Sequence, residues 1–345
     1  MDTTMEDPNS QDINQETPAE DVFIAPSIHE ADILAGNSYT HHTAIPSSIA
    51  QSPSTECILG VDEAGRGPVL GPMVYGIFYL PLSMHHSLLA QAHHFDDSKV
   101  LTPAVRSTLM QTLCTPHSDL YQNCGWATRV MSARDIGAGM LKPVGVYNLN
   151  AQAMDATVQL IKEVFDKGVN VKEIYVDTIG PPATYQAKLE RVFPATKITV
   201  AKKADSLYPC VSAASVAAKV TRDAALEVCY QSYISKSNLD EDEPAVVAAG
   251  WGSGYPSDAR TSTWLKENMD PVFGWGNECR FSWGTVKELL EAKGQAVKVD
   301  WPVPDDEEQG MRLTNFFAPS VGGDGEQERD ELANWFGRPL TEDIF

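Results

Sequence analysis

A short apolar strand that ends in two adjacent carboxylates most constrains the fold of this chain. Residues 57–61 are apolar and lead into Asp62 and Glu63, and a turn with Gly65 and Gly67 on either side of Arg66 follows. Neighbouring side chains of a regular strand point to opposite faces. Both carboxylates can serve one site only where the strand bends, and the two glycines supply that freedom. Taken alone, the pattern also fits a solvated Asp-Glu pair before an ordinary turn.

Strand and helix patterns then alternate along the chain. Apolar strand patterns cover residues 69–80, 125–131, 174–177 and 197–201. Helical spacing of apolar residues covers 150–167 and 208–234, and a further helix ends near residue 192. This alternation predicts an α/β layer whose sheet is parallel in part.

Acids recur at the ends of these strands. Asp62 and Glu63 close the first strand, Asp177 closes another, and Asp205 comes just after residues 197–201. Ligand sites of open α/β sheets gather at such strand ends. Carboxylates without nearby His or Cys suit Mg²⁺ or Mn²⁺, and two such ions form the usual clamp for phosphodiester hydrolysis. Each acid also has a simpler explanation, since Asp205 could be a helix N-cap and Asp177 a turn residue.

The long helix carries polar residues on one face. Four of them lie at i, i+3, i+7 and i+10: Ser212, Ser215, Lys219 and Arg222. Small serines allow close approach and the two cations can hold phosphate oxygens, as can Lys203 just before Asp205. A solvated helix face is the alternative interpretation.

Charge and composition bound the remaining possibilities. The chain has 345 residues and a net charge of −21. Residues 1–56 hold ten acids and no lysine or arginine, residues 300–345 hold twelve acids and three bases, and the part between them is nearly neutral. A nucleic-acid partner therefore stays open. We expect no membrane span and no secretory signal, and the six cysteines form no tight pair, which favours reduced thiols.

Other enzyme classes fit poorly. Gly71 comes one residue late for the dinucleotide pattern G-x-G-x-x-G, and no phosphate-binding P-loop sequence occurs. Asp177-Thr178-Ile179 does not match the Asp-Thr/Ser-Gly of aspartic proteases. A glycosidase needs two carboxylates, and four acids beside a Lys/Arg stripe exceed that need.

Several motifs together resemble one family. They are GVDEAGRG at 60–67, DSK at 97–99, VDT at 176–178, KADS at 203–206, AKVTRD at 218–223, GSGYPSD at 252–258 and RFSW at 280–283. This set resembles type 2 ribonuclease H (ribonuclease HII), and GPVLGPMVY at 67–75 resembles the catalytic A subunit of the eukaryotic enzyme. The resemblance implies an α/β ribonuclease H-like fold with a central mixed β-sheet flanked by helices, plus a C-terminal helical extension.

Composition and the resemblance together predict a division of the chain. We expect a disordered acidic N-terminal tail over 1–55 and a ribonuclease H-like catalytic domain over 56–236. A C-terminal helical region over 237–295 would carry a loop with Tyr255, and a flexible acidic tail would follow over 296–345.

The implied site has three parts. Asp62, Glu63, Asp177 and Asp205 would be catalytic and would hold two ions, Mg²⁺ or Mn²⁺. Gly65, Arg66 and Gly67 would contact the ribose 2′-hydroxyl, which separates RNA from DNA, and Tyr255 would stack on the sugar at the RNA–DNA junction. Further substrate contacts are predicted at Ser98, Lys99, Lys203, Ser212, Ser215, Lys219 and Arg222.

The implied function is endonucleolytic. Substrates would be RNA–DNA hybrids and single ribonucleotides in duplex DNA, cut on the 5′ side to leave 3′-hydroxyl and 5′-phosphate ends, during replication and repair in the nucleus. Two non-catalytic subunits would complete a heterotrimer, and Leu313, Phe316 and Phe317 resemble a degenerate sliding-clamp box. The competing prediction is a catalytically silent scaffold subunit, although all four acids are present.

Overall fold

The computed structural model of the protein describes residues 23–95, 101–142, 145, 147–178, 180–237, 250–292 and 297. Within them a six-stranded sheet lies between helices on both faces, which confirms the expected fold class. The strands are β1 Tyr39–His42, β2 Cys57–Ala64, β3 Met73–Pro81, β4 Gly125–Met131, β5 Val171–Asp177 and β6 Lys197–Ala201. The helices are α1 Glu30–Leu34, α2 Ser47–Ala50, α3 Pro103–Cys114, α4 Asp119–Asn123, α5 Ala133–Met140, α6 Leu149–Asp166, α7 Pro182–Val192, α8 Pro209–Ser237, α9 Ala259–Glu267 and α10 Gly284–Glu291.

The sheet is mixed, with the strand order β1-β4-β3-β2-β5-β6. Strands β1 to β4 pair antiparallel, whereas β5 runs parallel to both β2 and β6. Parallel neighbours end at the same edge of a sheet, so the carboxyl ends of β2, β5 and β6 meet there. The strand-end acids predicted from the sequence lie on these three strands or just after them.

Helix α8 packs directly on the centre of the sheet. A Cβ added at Gly60 would lie 2.3 Å from the backbone of Cys210, and one at Gly76 would lie 2.5 Å from the carbonyl oxygen of Ala214. Only glycine fits at these two strand positions. The facing helix positions are small and fully buried, among them Ala213, Ala214, Ala217 and Ala218. This close contact fixes the height of α8 above β2 and β3.

The prediction of a disordered tail over residues 1–55 is wrong for residues 23–55. Strand β1 pairs with β4 and forms one edge of the sheet. Ile33 and Ile49 are buried, and the Ser27 hydroxyl lies 2.7 Å from the Thr221 hydroxyl of α8 in a buried hydrogen bond. The polar composition concealed this order because an edge strand is held mainly by its backbone groups. Residues 1–22 lie outside the described part of the chain.

The predicted boundary at residue 237 does not separate two domains. The described residues up to Val297 form one compact unit. A shared apolar cluster joins the end of α8 to the segment that follows, with Leu226 and Tyr230 packed among Trp251, Trp264 and Leu265. The tail predicted after residue 295, including Leu313, Phe316 and Phe317, lies outside the described residues apart from Val297.

Two further features concern the described helices and the cysteines. None of the described helices has both the length and the apolar character needed to cross a bilayer. All six cysteines are free thiols, and four of them are buried: Cys57, Cys124, Cys210 and Cys279.

Candidate active site

The four predicted acids line one open cleft of about 900 Å³ at the shared strand edge. Asp62 and Glu63 lie near the end of β2, and Asp177 is the last residue of β5. Asp205 lies in the 3₁₀ turn Ala204–Ser206 that follows β6. The same cleft is lined by residues 65–67 and Tyr255, so the structure brings together groups that are far apart in the sequence.

Asp62 and Glu63 form a buried acidic pair. Asp62 is 6% exposed, and its carboxylate accepts a hydrogen bond from the Glu63 amide at 2.8 Å. Burial, and then the charge of Glu63, raise the pKa of Asp62 well above its usual value, which the Ser215 hydroxyl partly opposes. Burial also raises the pKa of Glu63 to about 7, although Arg66 favours its ionised form. Burial therefore disfavours the ionised forms of both acids.

Asp177 links β5 to the turn after β6. Its carboxylate accepts a hydrogen bond from the Ala204 amide at 2.7 Å. Lys203 has a left-handed backbone, with φ 58° and ψ 40°, at the point where this turn leaves the strand. Burial is the main cause that raises the pKa of Asp177, and the charge of Asp205 raises it further. The contact spans two strands, so Asp177 is more than a local turn residue.

Asp205 does not cap the long helix. Helix α8 begins at Pro209, and the residue before it, Tyr208, occupies the N-cap position. Asp205 instead lies half-buried in the cleft, where its charge acts on Asp177. The N-cap interpretation of this acid is therefore wrong.

The donor chemistry of the cleft suits a hard divalent cation, but the side chains do not form a finished coordination shell. Carboxylate oxygens are the ligands that Mg²⁺ and Mn²⁺ prefer. Burial raises the pKa values of Asp62, Glu63 and Asp177, and the negative charge of another of the four acids raises each of them further. Within the described residues, however, no group of three His, Cys, Asp or Glu side chains has the arrangement needed to hold a metal ion.

The turn at residues 65–67 forms one wall of the cleft. Gly65 has φ +75°, and a Cβ there would lie 2.7 Å from the carbonyl oxygen of Pro72. The guanidinium of Arg66 donates a hydrogen bond to the side-chain oxygen of Asn150 at 2.5 Å. Gly67 is exposed to the cleft. The backbone of this turn is thus exposed at Gly67 and closely packed at Gly65.

Tyr255 faces the turn from the opposite side. A Cβ added at Gly67 would lie 3.2 Å from the Tyr255 ring, which is 40% exposed. The loop that carries Tyr255 is tied to α8, because the Arg222 guanidinium donates to the carbonyl of Ser253 at 2.6 Å. The same guanidinium lies 5.9 Å from the centre of the Tyr255 ring. Arg222 therefore holds the tyrosine loop.

The structure places only part of the predicted contact face of α8 at the cleft. Lys219 is half-buried and lines the cleft, and Lys203 is exposed at the adjacent turn. Ser212 and Ser215 have no exposed surface, so the prediction that they contact substrate is wrong. Helical spacing placed the four residues on one face of α8, but of these only Lys219 and Arg222 line the cleft. Ser98 and Lys99 lie outside the described residues.

Arg280 and Trp283 support the turn, a role that sequence reasoning missed. Arg280 is fully buried and donates hydrogen bonds to the carbonyls of Gly65 at 2.6 Å and Arg66 at 2.9 Å. The Trp283 indole donates to the carbonyl of Gly67 at 3.0 Å. The only sequence signal was the RFSW motif, which gave no indication of its partners more than two hundred residues earlier.

The chain matches a family model described as Ribonuclease HII over residues 59–286. It is 56% identical to the A subunit of ribonuclease H2 from Neurospora crassa over 325 residues, which cover 94% of this chain and 97% of that protein. It is 43% identical to the A subunit of ribonuclease H2 from Homo sapiens over 261 residues, covering 76% of this chain and 82% of that protein. The solved ribonuclease H2 of Pyrococcus horikoshii OT3 superimposes with a TM-score of 0.49 and 28% identity, covering 68% of this chain and 97% of that one.

Proposed function

This chain belongs to the ribonuclease HII family, among the catalytic A subunits of type 2 ribonuclease H, and we propose that it is an endonuclease that cleaves duplexes at ribonucleotides. It would hydrolyse the RNA strand of RNA–DNA hybrids and cut on the 5′ side of single ribonucleotides in duplex DNA, leaving 3′-hydroxyl and 5′-phosphate ends. The observation that carries the proposal is the cleft in which four strand-end carboxylates lie beside a bare glycine turn and a tyrosine. This activity would serve ribonucleotide removal and RNA primer removal.

The four carboxylates would hold two divalent cations, Mg²⁺ or Mn²⁺: Asp62, Glu63, Asp177 and Asp205. Ions bound there supply an activated water and stabilise the charge on the leaving oxygen. The contribution of the protein is a site that prefers positive charge. Burial and mutual repulsion disfavour the ionised carboxylates, and a bound cation relieves both effects.

Proton linkage follows from the raised pKa values. In the metal-free fold the pKa of Glu63 lies near 7, above its usual 4.5, so folding takes up protons between these values. The contribution of Glu63 to stability is therefore largest below pH 4.5 and is lost as the pH rises to about 7. A cation must displace these protons, so its affinity increases with pH over the same range.

The opposite wall of the cleft would identify the ribonucleotide. The 2′-hydroxyl is the group that distinguishes RNA from DNA at one nucleotide. Gly65 and Gly67 let the backbone around Arg66 approach that hydroxyl, and the exposed ring of Tyr255 would stack on the neighbouring sugar. Lys219, and Lys203 at the cleft margin, would contact phosphates.

The decisive experiment removes one carboxylate charge at a time. We expect Asp62→Asn and Asp205→Asn to lower the cleavage rate of a duplex with one ribonucleotide by more than about 100-fold, since even residues that only support metal ligands cost up to that much. Asp166→Asn, an exposed change at the end of α6, is the matched control. Full activity in either site variant would refute the assignment.

A scaffold subunit without activity is the second candidate. The observation in its favour is that the described side chains do not converge into a metal site. The presence of all four acids in one cleft opposes it, because an inactive subunit has no need to keep buried, mutually repelling carboxylates. A titration of Mg²⁺ or Mn²⁺ separates the two, since a scaffold purified with its partners would show no metal-stimulated cleavage at any concentration.

The proposed assembly is a heterotrimer with two non-catalytic subunits, located in the nucleus. Its support is the family, in which the two eukaryotic relatives described above are named as subunits. Affinity purification of the tagged chain from its own cells should recover two further proteins in equal amounts, and a fluorescent tag should show a nuclear signal. Binding to a sliding clamp would depend on Phe316 and Phe317, so unchanged clamp affinity after replacing both with alanine would exclude that contact.

A further inference from the structure

Arg280 is a buried cation whose guanidinium donates hydrogen bonds to the backbone. It has no exposed surface, and its guanidinium donates to the carbonyls of Gly65, Arg66 and Gly71 at 2.6, 2.9 and 3.0 Å. Buried charges are normally paired with an opposite charge. Within the described residues, the hydrogen bonds of this guanidinium go to carbonyl oxygens instead. A side chain placed at such cost indicates that the conformation of the bound backbone matters.

The orientation of these carbonyls fixes the direction of the next amides. In a trans peptide the C=O and the following N–H point in opposite directions, and the chain has no cis peptide among its described residues. Because the Gly65 and Arg66 carbonyls point at Arg280, the amides of Arg66 and Gly67 point away from it. Among the described residues, neither amide donates to a protein acceptor.

Trp283 extends the same support by one residue. Its indole donates to the Gly67 carbonyl at 3.0 Å, and its ring lies 4.8 Å from the Arg280 guanidinium. Three consecutive carbonyls of the turn are therefore held by one short segment near the C-terminal end of the compact unit. Arg280 has no exposed surface, whereas Trp283 is half-buried and lines the cleft together with Gly67.

We propose that Arg280, supported by Trp283, is the positioning residue that sets which way the 65–67 turn presents its amides. The N–H groups of Arg66 and Gly67 then already point toward the position that the ribose 2′-hydroxyl will occupy when substrate binds. The positive charge behind the turn also polarises its peptide groups and strengthens them as donors. The inference rests on the proposed function, in which this turn reads the 2′-hydroxyl.

The test measures recognition without cleavage. Two duplexes of equal sequence, one with a single ribonucleotide and one entirely of DNA, are bound in EDTA to the full-length chain purified with its natural partners. Arg280→Lys keeps the charge but replaces the planar guanidinium by a compact ammonium, whose three donors diverge from one nitrogen and cannot reproduce the guanidinium's geometry toward the three carbonyls. We expect its preference for the ribonucleotide duplex to fall about tenfold, the worth of a hydrogen bond, while affinity for the DNA duplex stays unchanged.

Two further variants make the result specific. Trp283→Phe removes one donor and keeps the ring, and we expect a fall of about threefold. It also serves if Arg280→Lys does not fold. Arg134→Lys is the matched control, because Arg134 also donates to a backbone carbonyl, that of Ala35 at 3.1 Å, but lies outside the cleft. The preference of the Arg134→Lys variant for the ribonucleotide duplex should equal that of the wild type.

Three results would count against the inference. Equal weakening on both duplexes, or a lower melting temperature with an unchanged preference, would show that Arg280 only stabilises the fold. A wild-type chain that binds both duplexes equally would instead refute the proposed reading of the 2′-hydroxyl by this turn, and the role of Arg280 with it.

Discussion

Replacing Gly65 with alanine should damage the turn by two separable effects. The first is conformational, because Gly65 has φ +75°, in the region that residues with a Cβ rarely adopt. The second is steric, because the new Cβ would lie 2.7 Å from the Pro72 carbonyl oxygen and 3.0 Å from Cγ of Arg222. The Pro72 carbonyl belongs to the backbone just before β3, and Arg222 holds the loop that carries Tyr255. Neither group can therefore move without destabilising the fold.

The chain offers a variant that isolates the first effect. Gly168 has φ +82°, and a Cβ there meets nothing within 4 Å. Gly168→Ala should therefore cost only the left-handed conformation, about 1–2 kcal/mol. Gly65→Ala adds overpacking of about 1–3 kcal/mol, for a total of about 2–5 kcal/mol in the free energy of unfolding. In a domain of this size, that total corresponds to a melting temperature lower by about 5–15 °C.

Thermal denaturation and cleavage of a single-ribonucleotide duplex are measured on both variants. Gly168→Ala should show a drop of about 2–6 °C with normal activity, since it lies at the end of α6. Gly65→Ala should show the larger drop and lose activity at temperatures where it is still folded. Equal melting temperatures for the two variants would refute the steric argument, and normal activity of Gly65→Ala would refute the role of the turn.

Three further outcomes follow from the structure. Tyr255→Ala should reduce cleavage of single-ribonucleotide duplexes more than of continuous hybrids, and an equal loss on both would contradict junction sensing. Mg²⁺ or Mn²⁺ should raise the melting temperature more at pH 7.5 than at pH 5.5, because the Glu63 pKa of about 7 lies between these values. A pH-independent rise would contradict the proton linkage. Thr221→Val should cost about 1–3 kcal/mol by leaving the buried Ser27 hydroxyl unpaired, and an unchanged melting temperature would show that residues 23–42 are not held through this bond.

The sequence was most informative where chemistry and chain direction coincide. Asp62, Asp177 and Asp205 each come at or just after a strand with a clear apolar pattern, and parallel strands place such ends together. The 65–67 turn could also be predicted, because a positive φ beside a close backbone contact requires glycine, and the two glycines are visible in the sequence. These inferences needed only neighbours in sequence and one rule of sheet geometry.

The burial of individual side chains, and contacts between segments far apart in the sequence, could not be predicted in this way. Spacing placed Ser212 and Ser215 on one face of α8, yet both faces of this part of the helix are lined by small residues, so the pattern did not show which face meets the sheet. Strand β1 has a polar sequence and is held by backbone pairing. Arg280 acts on carbonyl groups, which every residue has, so no pattern in the sequence marks its partners.

Helix α8 contacts both walls of the cleft and so links the proposed recognition of the ribonucleotide to its cleavage. At its first half the helix lies against β2 at Gly60, and its buried Ser215 partly offsets the rise in the pKa of Asp62 that burial causes. Two turns later, Arg222 of the same helix holds the loop that carries Tyr255. A rigid helix cannot shift at one of these points and stay at the other. The carboxylate that would bind metal and the tyrosine that would contact the sugar are therefore fixed relative to each other by one element, so their separation does not depend on the intervening loops.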